Sequence, residues 1–83
     1  MGNSLSNEIT VYIRKHREQL GKDYRATRTA LGWSVEQVAQ MAGVKPITIE
    51  KIEAGKFNVS LDIMVRVADV LGSDVTIKER EYL

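Results

Sequence analysis

The sequence predicts an all-α fold, a small bundle of four to five helices followed by a short C-terminal β-strand. The prediction rests on three observations. Residues 34–56 read as two short helices joined at a glycine. Apolar side chains recur at helical offsets on both sides of that pair. Only residues 74–80 depart from this, alternating apolar and polar side chains with several β-branched ones, which is how a strand reads.

From about Asn7 onward, Ile9, Tyr12, Ile13 and Leu20 fall near helical offsets, so a helix is expected in the N-terminal extension, residues 1–19. A strand over residues 9–13 competes with it, because isoleucine, threonine, valine and tyrosine suit pleated surfaces. The extension can run on into the next helix, since a glycine such as Gly21 costs only about 1 kcal/mol in a helix interior. That second stretch runs to about Leu31, with Leu20, Tyr24, Thr27, Ala30 and Leu31 as inward candidates, and Gly32 ends it. Trp33 then reads as a core plug in the corner.

Ser34 is a good N-cap, and Gln37 three residues on completes a capping box. Val38, Ala39 and Ala42 form a narrow stripe of small apolar residues suited to close helix contact. Gly43 supplies a left-handed stop, Val44 plugs the turn, and Pro46 opens the next helix, where Ile49 and Ile52 face inward. The pair is a helix-turn-helix motif. After Gly55, Ser60 is placed to cap a last helix with Leu61, Met64, Val67, Ala68 and Leu71 as its core stripe. Ile63, Val65 and Val70 make much of the remaining surface of that helix apolar too, which calls for a covering partner. Residues 20–72 thus form the helical domain. The strand in residues 73–83 needs an edge to pair with, and the same strand of a second copy across a two-fold axis is the simplest one.

Composition narrows the function. With 83 residues the chain is a single small domain, near the size at which a monomer is marginal and dimerisation helps. It has no cysteine and one histidine, His16, so thiolate metal sites, histidine-centred catalytic triads and disulfide frameworks lack parts. No enzyme activity, metal or cofactor is expected. No apolar run approaches the roughly 20 residues that span a bilayer, and no basic region leads into a long apolar one, so a cytoplasmic protein without membrane partners is expected. The net charge is +1, but residues 1–32 carry six basic and three acidic groups whereas residues 61–83 carry three and five. Arg14, Lys15, Arg17, Lys22, Arg25 and Arg28 form a basic face that reads either as a phosphate-contacting surface or as a solvated helix face.

Ala39, Gly43, Val44, Thr48, Ile49, Ile52, Glu53, Gly55 and Lys56, flanked by Gly32-Trp33-Ser34 and Asn58-Val59-Ser60-Leu61, make residues 20–71 resemble the phage repressor and Cro-like helix-turn-helix family of the XRE type, whose fold is that of lambda repressor. The resemblance implies a DNA-binding transcriptional regulator whose second motif helix enters the major groove. Carried over by position, Lys45, Pro46, Ile47, Glu50 and Lys51 would face bases, and Ser34, Thr48, Lys56 and Asn58 would meet phosphates. Pro46 and Ile47 stand where the family generally has polar side chains, and Val35 where it often has glutamine. Base readout would then rest on thymine methyls together with Lys45 and Lys51. Thr48 has a second reading, a hydroxyl bonded back to its own helix, and Glu50 a second one as a helix-stabilising surface residue. Glu53 reads as structural, pairing for instance with an arginine of the first helix.

The expected function is a homodimeric repressor reading an inverted repeat in double-stranded DNA, with Ile63, Val70, Val75 and Ile77 at the dimer interface. The tail also resembles that of some small repressor antitoxins, which would add a toxin as protein partner. A protein-interaction module on the same fold, without specific DNA binding, is the other reading, favoured by Pro46 and Ile47.

Overall fold

The computed structural model describes residues 4–56 and 58–76, and among them the chain forms four α-helices and no strand: α1 (Ser4–Ala30), α2 (Val35–Ala42), α3 (Pro46–Glu53) and α4 (Leu61–Val70). The N-terminal extension and the first helix of the bundle are one continuous helix. Its 27 residues rise about 40 Å at 1.5 Å per residue, close to the 46 Å longest dimension of the molecule. The strand considered for residues 9–13 does not form. The helix also starts earlier than the expected position near Asn7, already at Ser4.

The local signals at the motif act as their chemistry dictates. The Ser34 hydroxyl accepts from the Gln37 amide at 3.0 Å, while the Gln37 side-chain oxygen accepts from the Ser34 amide at 2.7 Å. Gly43 closes α2 at φ +70°; its backbone N–H donates to the Gln40 carbonyl at 3.2 Å, and the Val44 N–H donates to that of Ala39 at 2.9 Å. A side chain there would meet its own backbone, so glycine makes the turn without strain. Pro46 opens α3, with Lys45 as N-cap lacking any side-chain cap bond. Ser60 caps α4, accepting from the Ile63 amide at 3.3 Å.

The core draws on all four helices: Tyr24 from α1, Val38, Ala39 and Ala42 from α2, Ile49 and Ile52 from α3, and Met64, Val67 and Ala68 from α4, with Leu71 just beyond. Leu20, Trp33, Val35, Val44, Val59, Ile63 and Val70 pack around this cluster. Tyr24 crosses the bundle to donate its hydroxyl to the Met64 carbonyl at 2.9 Å, and burial pushes its pKa up. Three expected core residues lie outside. Ala30, the last residue of α1, and Leu31, which follows it, are exposed, and Leu61, the first residue of α4, is 67% exposed. Each sits at a helix terminus, where the stripe runs past the edge of the partner helix. Of the strand expected over residues 74–80, residues 74–76 carry no regular structure and the rest, with Ile77, lie outside the described residues.

Two glycines position the motif. At Gly21 the α1 backbone runs directly against the last carbonyls of α3, so that a Cβ there would collide with the Ile52 oxygen and sit 2.8 Å from that of Glu53. At Gly55, with φ +72°, a Cβ would lie 2.8 Å from the Cα of Glu18. The middle of α1 and the end of α3 therefore touch backbone to backbone. This contact fixes the direction in which α3 leaves the bundle.

Candidate nucleic-acid interface

α3 has two unlike sides. Ile49 and Ile52 are fully buried, whereas Ile47, Glu50 and Lys51, spaced three and one apart, share the solvent side with Lys45 and Pro46 at its amino end. All five residues carried over as base-facing are thus exposed and grouped on one helix end and face. Thr48 is half-buried, and its hydroxyl makes no hydrogen bond among the described residues, unlike those of Thr27 and Thr29, which bond back to the carbonyls of Asp23 and Arg25. Lys56 and Asn58, in the loop that follows, are exposed.

Ser34 is half-buried and already serves as the acceptor in the α2 cap, which leaves its O–H free to donate to a phosphate at the same helix end. Val35 is half-buried and packs on the core, which accounts for an apolar residue at the first position of α2. Three lysines, Lys45, Lys51 and Lys56, give this surface its positive charge, against the exposed carboxylate of Glu50; the other carboxylate of α3, Glu53, is turned inward. The helix dipole adds to that positive charge at the amino end of α3.

The motif is held in place by one ion pair. Arg28 of α1 donates through Nε to Glu53 Oε2 at 2.6 Å and through Nη2 to Oε1 at 2.9 Å, and through Nη1 to the Trp33 carbonyl at 2.8 Å. The two side chains are only 12% and 10% exposed. Hydrogen bonding to Glu53 raises the Arg28 pKa further above the ordinary arginine value, outweighing the opposing effect of burial. One guanidinium thereby ties α1 to the end of α3 and to the corner ahead of α2. Glu53 has the structural role, and the arginine partner, expected from the sequence. The Trp33 carbonyl as third ligand carries no side-chain signal and was not readable.

Of the residues expected at a dimer interface, Val75 is exposed, Ile63 and Val70 are half-buried against the protein's own core, and Ile77 is outside the described residues. His16 lies on the exposed part of α1, its ring 4.1 Å from that of Tyr12 and its Nδ1 2.9 Å from the Tyr12 carbonyl. Among the described residues no group of three or more histidine, cysteine or acidic side chains is placed to hold a metal ion. Among the described residues no helix is long and apolar enough to cross a membrane.

Residues 25–77 match the model of a family described as helix-turn-helix. The crystal structure of the restriction-modification controller protein C.AhdI from Aeromonas hydrophila superposes with a TM-score of 0.69 at 30% identity, covering 72% of this chain and 91% of the other. That of the clp gene regulator ClgR from C. glutamicum gives 0.67, also at 30% identity, over 71% of this chain and 76% of the other. No match is found among the curated protein sequences.

Proposed function

Because the chain belongs to the helix-turn-helix family, whose members are non-enzymatic DNA-binding transcriptional regulators, we propose that it acts as a homodimeric repressor reading an inverted repeat. The observation that carries this is the two-sided α3, with Ile49 and Ile52 locked into the core and Lys45, Pro46, Ile47, Glu50 and Lys51 presented together to solvent. In the major groove that face offers Lys51 and Lys45 to guanine acceptors, Glu50 to a cytosine amino group and Ile47 to a thymine methyl. Ser34, Thr48, Lys56 and Asn58 then meet the flanking phosphates and fix the register. Two copies related by a two-fold axis place their α3 helices in half-sites about one helical turn, roughly 34 Å, apart. The exposed flank of α4, with Ile63 and Val70 beneath it and Val75 beyond it, supplies the dimer contact, to which the sequence pattern adds Ile77. Repression follows from occupancy of a promoter.

A dimer brings three lysines per subunit, about six cations, against the duplex and is expected to displace about as many counterions, so its affinity is expected to fall about 10³-fold between about 50 and about 200 mM salt. Lys56→Ala removes two of them and is expected to lower the salt slope by about two, weakening all sequences alike. Fluorescence anisotropy with a labelled duplex measures both. Ile47, 49% exposed at the head of α3, favours a second reading in which the same face docks on a protein. Binding insensitive to salt and to Lys56→Ala would support that reading and exclude the first.

A further inference from the structure

Among the described residues, two apolar surfaces away from α3 are uncovered, and they are complementary. One is the N-terminal half of α1, where Ile9, 51% exposed, lies one turn from the exposed Ile13. This arm also carries Arg14, Lys15 and Arg17 against a single carboxylate, Glu8, over residues 7–17. The other is a groove of about 600 Å³ between α4 and residues 73–76. Its apolar floor is Leu61, Val65 and Val75, and its rim carries Asp62, Asp69 and Asp74 against one cation, Arg66.

We propose that this groove receives the α1 arm of a second copy of the chain, exchanged reciprocally across the two-fold axis. The inference rests on the dimer proposed above but not on DNA binding. Charge favours the pairing: residues 7–17 carry a net +2 and the groove lining a net −2, so arm against arm and groove against groove repel, whereas arm against groove attracts. The arm does not fill its own groove: α1 is one unbroken helix from Ser4 to Ala30, and the arm lines no part of that groove. The lengths agree as well. Eleven arm residues rise about 16 Å and the ten residues of α4 about 15 Å, so the two helices can pack along their whole lengths. A single contact of this kind, made twice, covers both exposed apolar surfaces.

The chain has no cysteine, so single cysteines report contacts cleanly. Ile13→Cys and Val65→Cys are both at exposed positions. The two purified variants are mixed without DNA in a glutathione redox buffer and run on a non-reducing gel. The expected result is a mixed disulfide between the two variants exceeding either homotypic one. Predominant Val65→Cys homodimers would show α4 packed on α4, and predominant Ile13→Cys homodimers would show paired arms. Either outcome overturns the exchange while leaving a dimer in place. No cross-link, with a monomer by sedimentation equilibrium, would overturn the exchange and the dimer together. An independent check needs no thiol: Ile13→Asp is expected to weaken dimerisation at least about tenfold with unchanged helical circular dichroism. Wild-type dimerisation of that variant would overturn the inference.

Discussion

Gly21→Ala is expected to destabilise the fold by about 3 kcal/mol, lowering the thermal midpoint by roughly 10–20 °C. Helix propensity alone argues for the opposite sign, because alanine is favoured over glycine by about 1 kcal/mol in a helix interior. Space decides against it. The methyl would press on the Ile52 and Glu53 carbonyls, which are backbone atoms in the last turn of α3 and cannot rotate away as a side chain would. Relief comes only by moving α1 off α3, which disturbs packing around Tyr24 and Ile52 and redirects the exposed face of α3. Loss of DNA affinity should therefore accompany loss of stability. Thermal unfolding followed by circular dichroism gives the answer, and a midpoint at or above that of the unmodified protein would mean that the two helices do not meet at Gly21.

Glu53→Ala is expected to cost about 3 kcal/mol, near the lower end of what removing one partner of a buried pair costs, because both side chains keep slight exposure. Most of that loss comes from the guanidinium left behind. Arg28 would retain only the Trp33 carbonyl while remaining mostly out of water, and its fixed positive charge cannot be given up near neutral pH. Replacing both partners by apolar residues, Arg28→Met with Glu53→Leu, is expected to recover much of the stability, since no charge is then stranded. Urea denaturation of the single and double variants measures this. A midpoint for Glu53→Ala matching that of the unmodified protein would show that the pair contributes nothing to holding α3 in place.

Much of the helix-turn-helix was legible because its signals are local. Ser34 with Gln37, Gly43 and Pro46 each satisfy or remove a particular backbone hydrogen bond within a few residues, and such chemistry reads directly from spacing. The inward positions Val38, Ala39, Ala42, Ile49 and Ile52 were legible for a related reason, as the helical period fixes which side chains share a face. Gly21 was not. Its role depends on the approach of the Ile52 and Glu53 carbonyls, more than 30 residues away in the chain, and in sequence it looked only like a tolerated weakness. Leu31 and Leu61 mark a similar limit, since periodicity gives the direction of a side chain but not where the neighbouring helix stops. The Arg28–Glu53 pair falls between. The carboxylate's structural role followed from its place on the inner side of α3, but which arginine would reach it, and that Trp33 would share it, depended on the packed geometry. The base-facing set came from resemblance, and the structure adds that its members share one exposed surface.

The central claim is that the exposed face of α3 reads a two-fold DNA sequence, and the most direct measurement is selection of bound fragments from a random duplex pool at low and high salt. An enriched inverted repeat with half-site centres about one helical turn apart is expected, lost at high salt and lost again with Lys51→Ala. No enriched sequence at either salt would contradict that claim.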